Sequence, residues 1–438
     1  MSSSSNSSNE LIITSSPDGP IMVYDTVSRT AVTRFSSSRS PCHGLTTVGR
    51  RLLAASHVSS DTGAGSINIY NWHGSSVFRN FPVPEPIAPL IATPDGAFLI
   101  GGGISGSVIS LSSSSGDVIR STVVHSSSVS SILLSDDESL VISGNEDGTI
   151  VVVPTFKIIV GVSLEEEGGE KDLILNKWKA HSESVTALKY VMNTLVSCSL
   201  DCTCKFWNLG NGGTLMKTVA FPCCVSGVAL DSTGLAVYAG GADGFVYNGL
   251  VKLGSAKSVG KACEVKKWAK GHGGSIVSLV LVNEERSLVS AAEDGSVWMW
   301  SVENGEVMMV FGDELVTISD MIVIKGNGGG LGVGKGKEVA VEEGTGSFTS
   351  SGLCNEQILR TLNQITEIGE MRDVVVEDKK KVIDMLENVI EMYERLLKLI
   401  LKEATKAIEE EEEEEEEDEK DKDDKDEEEQ EKDDKKED

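Results

Sequence analysis

The chain has 438 residues, 39% of them hydrophobic, and a net charge of −29. Residues 409 to 438 hold 23 acidic and 6 basic side chains, net −17, so over half of that charge sits in a block that cannot bury apolar area. Such a balance argues against direct nucleic-acid binding, which needs a basic surface, and no apolar run approaches the roughly 18 residues of a membrane span.

The N-terminus, "MSSSSNSSNE" (1–10), lacks the basic and apolar regions of a secretory signal, so it is expected to be disordered and the protein intracellular. In that setting the eight cysteines are expected to be reduced, as buried structural thiols. Cys198, Cys202 and Cys204 lack the matching C-x-x-C or histidine pair that a zinc site would need.

From residue 11 the chain repeats. "LIITSSPDGPIMVYDTVSRTAVTRF" (11–35) supplies three short strands, and fuller units follow, the most complete being "AHSESVTALKYVMNTLVSCSLDCTCKFWNL" (180–209). Aligning the position six after each turn gives Tyr24, Tyr70, Leu111, Val153, Trp207, Gly249 and Trp300, spaced 41 to 54 residues apart. A period of about 40 to 45 residues with alternating strands marks four-stranded propeller blades. The wider gaps mark polar insertions at 164–172 and 252–265. Seven units predict an all-β, seven-bladed β-propeller over 11–324. Strand-like "LVTISDMIVI" (315–324) is expected to fill the vacancy in blade one and close the ring.

Certain polar residues recur with the blades: His181, Ser197, Asp201 and Trp207; His272, Ser290, Asp294 and Trp300; and His125, Ser143 and Asp147, where Val153 replaces the tryptophan. Buried imidazoles and carboxylates need partners, and pairing them across strands locks a turn. A catalytic Ser-His-Asp set uses the same residue types, but nucleophiles are not normally copied into successive repeats with a tryptophan attached. On these residues the chain resembles the WD40-repeat family, and the resemblance implies a hydrogen-bond network buried inside a blade.

Residues 325–352 read as a Gly/Ser-rich linker. Within it "GGLGVGKG" (329–336) fits the G-x-x-x-x-G-K frame of a phosphate loop, yet Gly336 stands where Ser or Thr would meet magnesium, and no helix start follows. The match is one of composition. No catalytic residue, metal or cofactor site is expected, so the chain reads as a non-enzyme.

Over 353–408 the spacing turns helical. Ile383, Leu386, Ile390, Tyr393, Leu397 and Ile400 make a coiled-coil-like seam expected to bind a partner or a second copy. The tail 409–438 is expected to be disordered.

"SLDCTCKFWNL" (199–209), "AVYAGGADGFVYN" (236–248), the degenerate early blades and the helical extension resemble one branch of the WD40 family: the WD-repeat subunit of the nucleolar complex that matures the large ribosomal subunit. That resemblance implies a non-catalytic scaffold for pre-60S assembly in the nucleus, nucleolus and nucleoplasm, supporting internal transcribed spacer removal. It also implies helical-repeat subunits, the AAA ATPase midasin and pre-60S particles as partners, with any RNA association indirect. Two other readings remain open. A ubiquitin-ligase substrate receptor would carry W-D-x-R, whereas Trp207 precedes Asn-Leu-Gly and Trp300 precedes Ser-Val-Glu. A chaperone of histones or ribosomal proteins would use the acidic tail.

Overall fold

The computed structural model describes residues 9–36, 39–72, 74–159, 173–251, 265–312 and 316–326. The chain divides into two units, Met1–Val374 and Val375–Asp438, and all described residues lie in the first. The expected helical extension, the acidic tail, both polar insertions up to residue 264 and nearly all of the linker lie outside the described residues.

Seven four-stranded antiparallel sheets form the ring. Six are continuous in sequence, at 45–82, 87–123, 129–179, 185–220, 225–271 and 276–312. Blade one is built from both ends of the described chain, in the order Asp320–Gly326, Asn9–Ser15, Ile21–Asp25, Thr30–Phe35. Its register pairs Asn9 with Gly326 and Ser15 with Asp320.

Two boundaries differ from the sequence reading. Asn9 and Glu10 are already paired in blade one rather than part of a polar leader, and the closing strand is Asp320–Gly326 rather than 315–324. The reason for the second is local. The Ser319 N–H donates to the Ser15 carbonyl (2.9 Å), ending the connecting loop there, and Ile318 turns into the core beside Val289 and Phe311.

The first strands of successive blades lie side by side around a central channel. Behind each comes a strand with both faces covered, such as Phe98–Gly103 and Ser287–Ala292, buried at every position. Such strands read as apolar runs, whereas the outermost strands alternate between half-buried and exposed. The core is therefore a series of layers between blades. Phe206 and Tyr247 share one with Val225 and Val237, and Phe35 shares another with Leu53 and Tyr70. Each such aromatic side chain, removed from water, contributes about 2–3 kcal/mol.

The aligned aromatic position falls on the third strand of every blade and faces an apolar residue of the second: Leu53 opposite Tyr70, Leu195 opposite Trp207, Leu288 opposite Trp300. Turn chemistry fixes this register. Gly148 takes a φ of +85°, and a Cβ there would lie 2.4 Å from the His181 carbonyl oxygen. The corresponding turn of blade five carries Cys202, at φ +63°.

Candidate functional site

Blade five assembles His181, Ser197, Asp201 and Trp207 into one hydrogen-bonded chain. His181 lies in the loop before the blade's first strand, Ser197 on the second strand, Asp201 in the turn and Trp207 on the third. The indole N–H of Trp207 donates to Ser197 Oγ (2.8 Å). The Ser197 hydroxyl meets His181 Nε2 at 2.8 Å, and His181 Nδ1 meets Asp201 Oδ2 at 2.9 Å. One proton arrangement satisfies all three contacts: Nδ1–H donates to the carboxylate and Nε2 accepts from serine. Thr203 completes the turn, its hydroxyl donating to Asp201 Oδ1 at 2.6 Å. The sequence reading did not single out Thr203.

Electrostatics agree with a neutral ring. Burial pushes His181 below its ordinary value, although Asp201 opposes the shift. For Asp201 burial would raise the carboxyl, but bonds from Thr203 and His181 hold it below its usual range. The ring is fully buried, so neither nitrogen is open to a substrate.

Blade seven solves the same problem with one more link. Trp300 donates to Ser290 Oγ (2.7 Å), and Ser290 meets His272 Nε2 (2.7 Å). His272 Nδ1 meets Ser296 Oγ at 2.7 Å, while Asp294 Oδ1 stands 3.9 Å away and accepts from the Ser296 hydroxyl at 2.7 Å. The direct His272–Asp294 contact expected from the repeat is thus replaced by a relay, because Ser296 fills the gap. Trp298 covers the imidazole face, ring centroids 4.3 Å apart.

Blade four keeps half of the arrangement. His125 Nε2 meets Ser143 Oγ at 2.8 Å, but Asp147 does not bond to the ring. Its carboxylate is occupied by the hydroxyls of Ser126 (2.6 Å) and Thr149 (2.5 Å), with Lys179 3.6 Å away. Burial lowers both His125 and His272 to about 4.

Other blades use substitutes. In blade six Phe221 stands where blade five has His181, four residues before the first strand and with its N–H on the preceding turn carbonyl, and Tyr247 reaches the turn instead, donating to Asp243 Oδ2 at 2.6 Å. In blade three the acid comes from the preceding loop: Glu85 accepts from the N–H (2.8 Å) and hydroxyl (2.7 Å) of Ser105 and from the hydroxyl of Ser107. His43, in the loop before blade two, has Nδ1 3.9 Å from Asp320 Oδ1 on the closing strand.

The cysteines depart from the sequence reading. Cys198 and Cys204 were expected to be reduced, and the structure joins them in a disulfide. The hairpin register is the cause, since it sets the two directly opposite on neighbouring strands with Cα atoms 4.1 Å apart. Cys202, Cys223 and Cys224 are free and half-buried. Among the described residues, no group of three His, Cys, Asp or Glu side chains could hold a metal ion.

A cavity of about 560 Å³ lies beside Glu10, Lys189, Leu230, Leu281 and Glu285. The seam residues Ile383, Leu386, Ile390, Tyr393, Leu397 and Ile400 lie outside the described residues.

Comparison with known proteins fits this geometry. The family model for the WD domain, G-beta repeat (WD40) matches residues 116–153, 173–208 and 263–301, within blades three to seven. Protein ROOT INITIATION DEFECTIVE 3 of Arabidopsis thaliana is 32% identical over 304 residues, 66% of this chain and 65% of the relative. Pre-rRNA-processing protein IPI3 of Yarrowia lipolytica is 26% identical over 57% of this chain and 60% of its own length. WD repeat-containing protein 18 of Bos taurus is 24% identical over 51% and 52% respectively. The matched region thus spans between half and two thirds of each of these relatives. Among solved structures, the computationally designed Ika8 protein aligns with a TM-score of 0.51 at 18% identity, covering 72% of this chain and 91% of that one. At that identity the likeness concerns the fold alone.

Proposed function

We propose, from the premise that this chain is a WD40-repeat protein, that it is a non-catalytic scaffold in pre-rRNA processing, acting in maturation of pre-60S particles. One observation carries the non-catalytic half: the Ser and His side chains that could do chemistry in blades five and seven are buried partners of one another, with neutral rings, and the turn Asp engages the ring directly in blade five and through Ser296 in blade seven. Relatives named as pre-rRNA-processing proteins support the pathway half. A rigid disc offers two loop-rich faces and a rim, a geometry suited to holding partners together, although fold alone does not establish function.

On this reading the chain works in the nucleus and nucleolus beside helical-repeat subunits and midasin, and the seam at Ile383 to Ile400 supplies an assembly contact. The test is affinity purification from nuclear extract of the intact chain and of a version ending at Ser351, reading both proteins and precursor ribosomal RNA. Pre-60S factors captured by the intact chain and diminished on truncation are expected. Capture of ubiquitin-ligase subunits or histones in their place would overturn the assignment.

A further inference from the structure

Three free thiols gather where blade five meets blade six. Cys202 occupies the turn between the second and third strands of blade five. Cys223 and Cys224 lie in the loop from the outer strand of blade five, Thr214–Ala220, to the first strand of blade six, Val225–Leu230. The Sγ atoms of Cys202 and Cys224 are 3.7 Å apart.

We propose that Cys202 and Cys224 are an oxidative modification site, closing under a peroxide into a reversible disulfide that staples blade five to blade six. The backbone already brings the two segments together, the Phe221 N–H donating to the Cys202 carbonyl at 2.8 Å, while Cys224 is anchored on blade six, its carbonyl accepting from the Ala242 N–H at 2.9 Å. The choice of partner is also set, because Cys223 donates its thiol to Asp243 Oδ1 at 3.3 Å, in blade six. Cys198 and Cys204 are fully buried and already bonded to each other.

Cys202 is out of pattern for its position. The corresponding turn residues Gly106, Gly148, Gly244 and Gly295 are glycines, with φ between +80° and +87°, whereas Cys202 holds φ +63° with a side chain. A left-handed conformation is uncommon for a residue other than Gly, Asn or Asp and carries backbone strain. Glycine would satisfy the turn without that strain, and what cysteine adds is a sulfur atom in reach of Cys224.

The chemistry balances. One thiolate attacks the peroxide, the O–O bond breaks, and the sulfur becomes a sulfenic acid as the remaining oxygen leaves as water after taking a proton. The second thiol then attacks that sulfur, the S–S bond forms, and a second water departs. Two thiols are oxidised, one peroxide is reduced, and a thiol such as glutathione reverses the bond by exchange. Partial burial, the contact with Cys224 and the charge of Asp201 hold the Cys202 thiol above its ordinary value, so the first step is slow at neutral pH.

The experiment treats the full chain with hydrogen peroxide, removes the excess, and maps disulfides by mass spectrometry beside the unfolding temperature. Cys202→Gly suits the turn, and Cys224→Ser leaves the backbone alone, so each removes one thiol without threatening the fold. The wild type should lose one pair of free thiols, yield a linkage between the Cys202 and Cys224 peptides, unfold at higher temperature and revert with glutathione. Neither variant should gain that linkage or that rise. A linkage that survives Cys202→Gly, oxidation ending in sulfinic acids without a linkage, or a bond between Cys223 and Cys224 would each overturn the proposal.

Discussion

His125, His181 and His272 are each held as neutral rings by burial, and that has a thermodynamic consequence. The folded rings resist protonation, with His125 and His272 titrating near about 4, while in the unfolded chain a histidine titrates near 6.5. Between these values the unfolded state binds more protons, so stability falls as pH falls through that window. Urea midpoints measured from pH 7 to pH 4.5 should decline steadily, and His272→Gln should reduce the slope. The turn acids should differ from one another. Asp201 bonds the ring directly with its side chain 10% exposed, whereas Asp294 is 25% exposed and acts through Ser296. Asp201→Ala is expected to cost about 2–3 kcal/mol and Asp294→Ala about 1 kcal/mol, read from chemical unfolding at unchanged denaturant slope.

At the scale of the strand, a repeated irregularity ties neighbours together. The first strands of blades four, five and six each shift register after their opening valine, at Val129, Val185 and Val225. Such a bulge re-aims the next side chain, and Ser130, Thr186 and Ser226 send their hydroxyls to the carbonyls of Val185, Val225 and Ile276 in the following blade. Thr186→Val keeps the shape and removes the bond, so it should lower stability by about 1 kcal/mol and raise amide exchange near Val225 more than near Val129. The seven-blade pattern was legible because third-strand anchors, aromatic in four blades, and turn residues recur at a period of 41 to 54 residues. The hydroxyl ties were not, since Val-Ser and Val-Thr pairs mean nothing until a bulge points them sideways. Similarly, the His-Ser-Trp chain of blade five could be read from its spacing, but the Ser296 relay, the Tyr247 replacement and the Glu85 cap depend on which oxygen reaches a carboxylate first. The Cys198–Cys204 bond likewise waits on hairpin register, which the left-handed Cys202 turn sets.

For the whole molecule, the decisive joint is blade one. Asp320 Oδ2 accepts from the Leu45 N–H of blade two at 3.0 Å, Ser319 Oγ donates to the Ser40 carbonyl at 2.7 Å, and Ser278 of blade seven donates to the Met321 carbonyl at 3.1 Å. Glu10 adds a second tie to blade seven by accepting from the Asn283 N–H. A chain ending at residue 315 would lack the first strand of blade one and expose the edge of Asn9–Ser15. It is expected to lose the single cooperative unfolding transition and to be cut by protease within 9–35 well before the intact protein is.

That joint also sets a schedule for synthesis. Asn9–Ser15 leaves the ribosome first, and its partner Asp320–Gly326 follows only after more than three hundred further residues. At roughly 5–20 residues per second, that strand waits on the order of a quarter of a minute to a minute with a bare edge. Six blades can form in order during the delay, each from contiguous chain, so the nascent protein grows as an open arc. Its vulnerable interval ends in one late event, and because further residues follow Gly326, that event can occur while the chain is still tethered to the machinery making it.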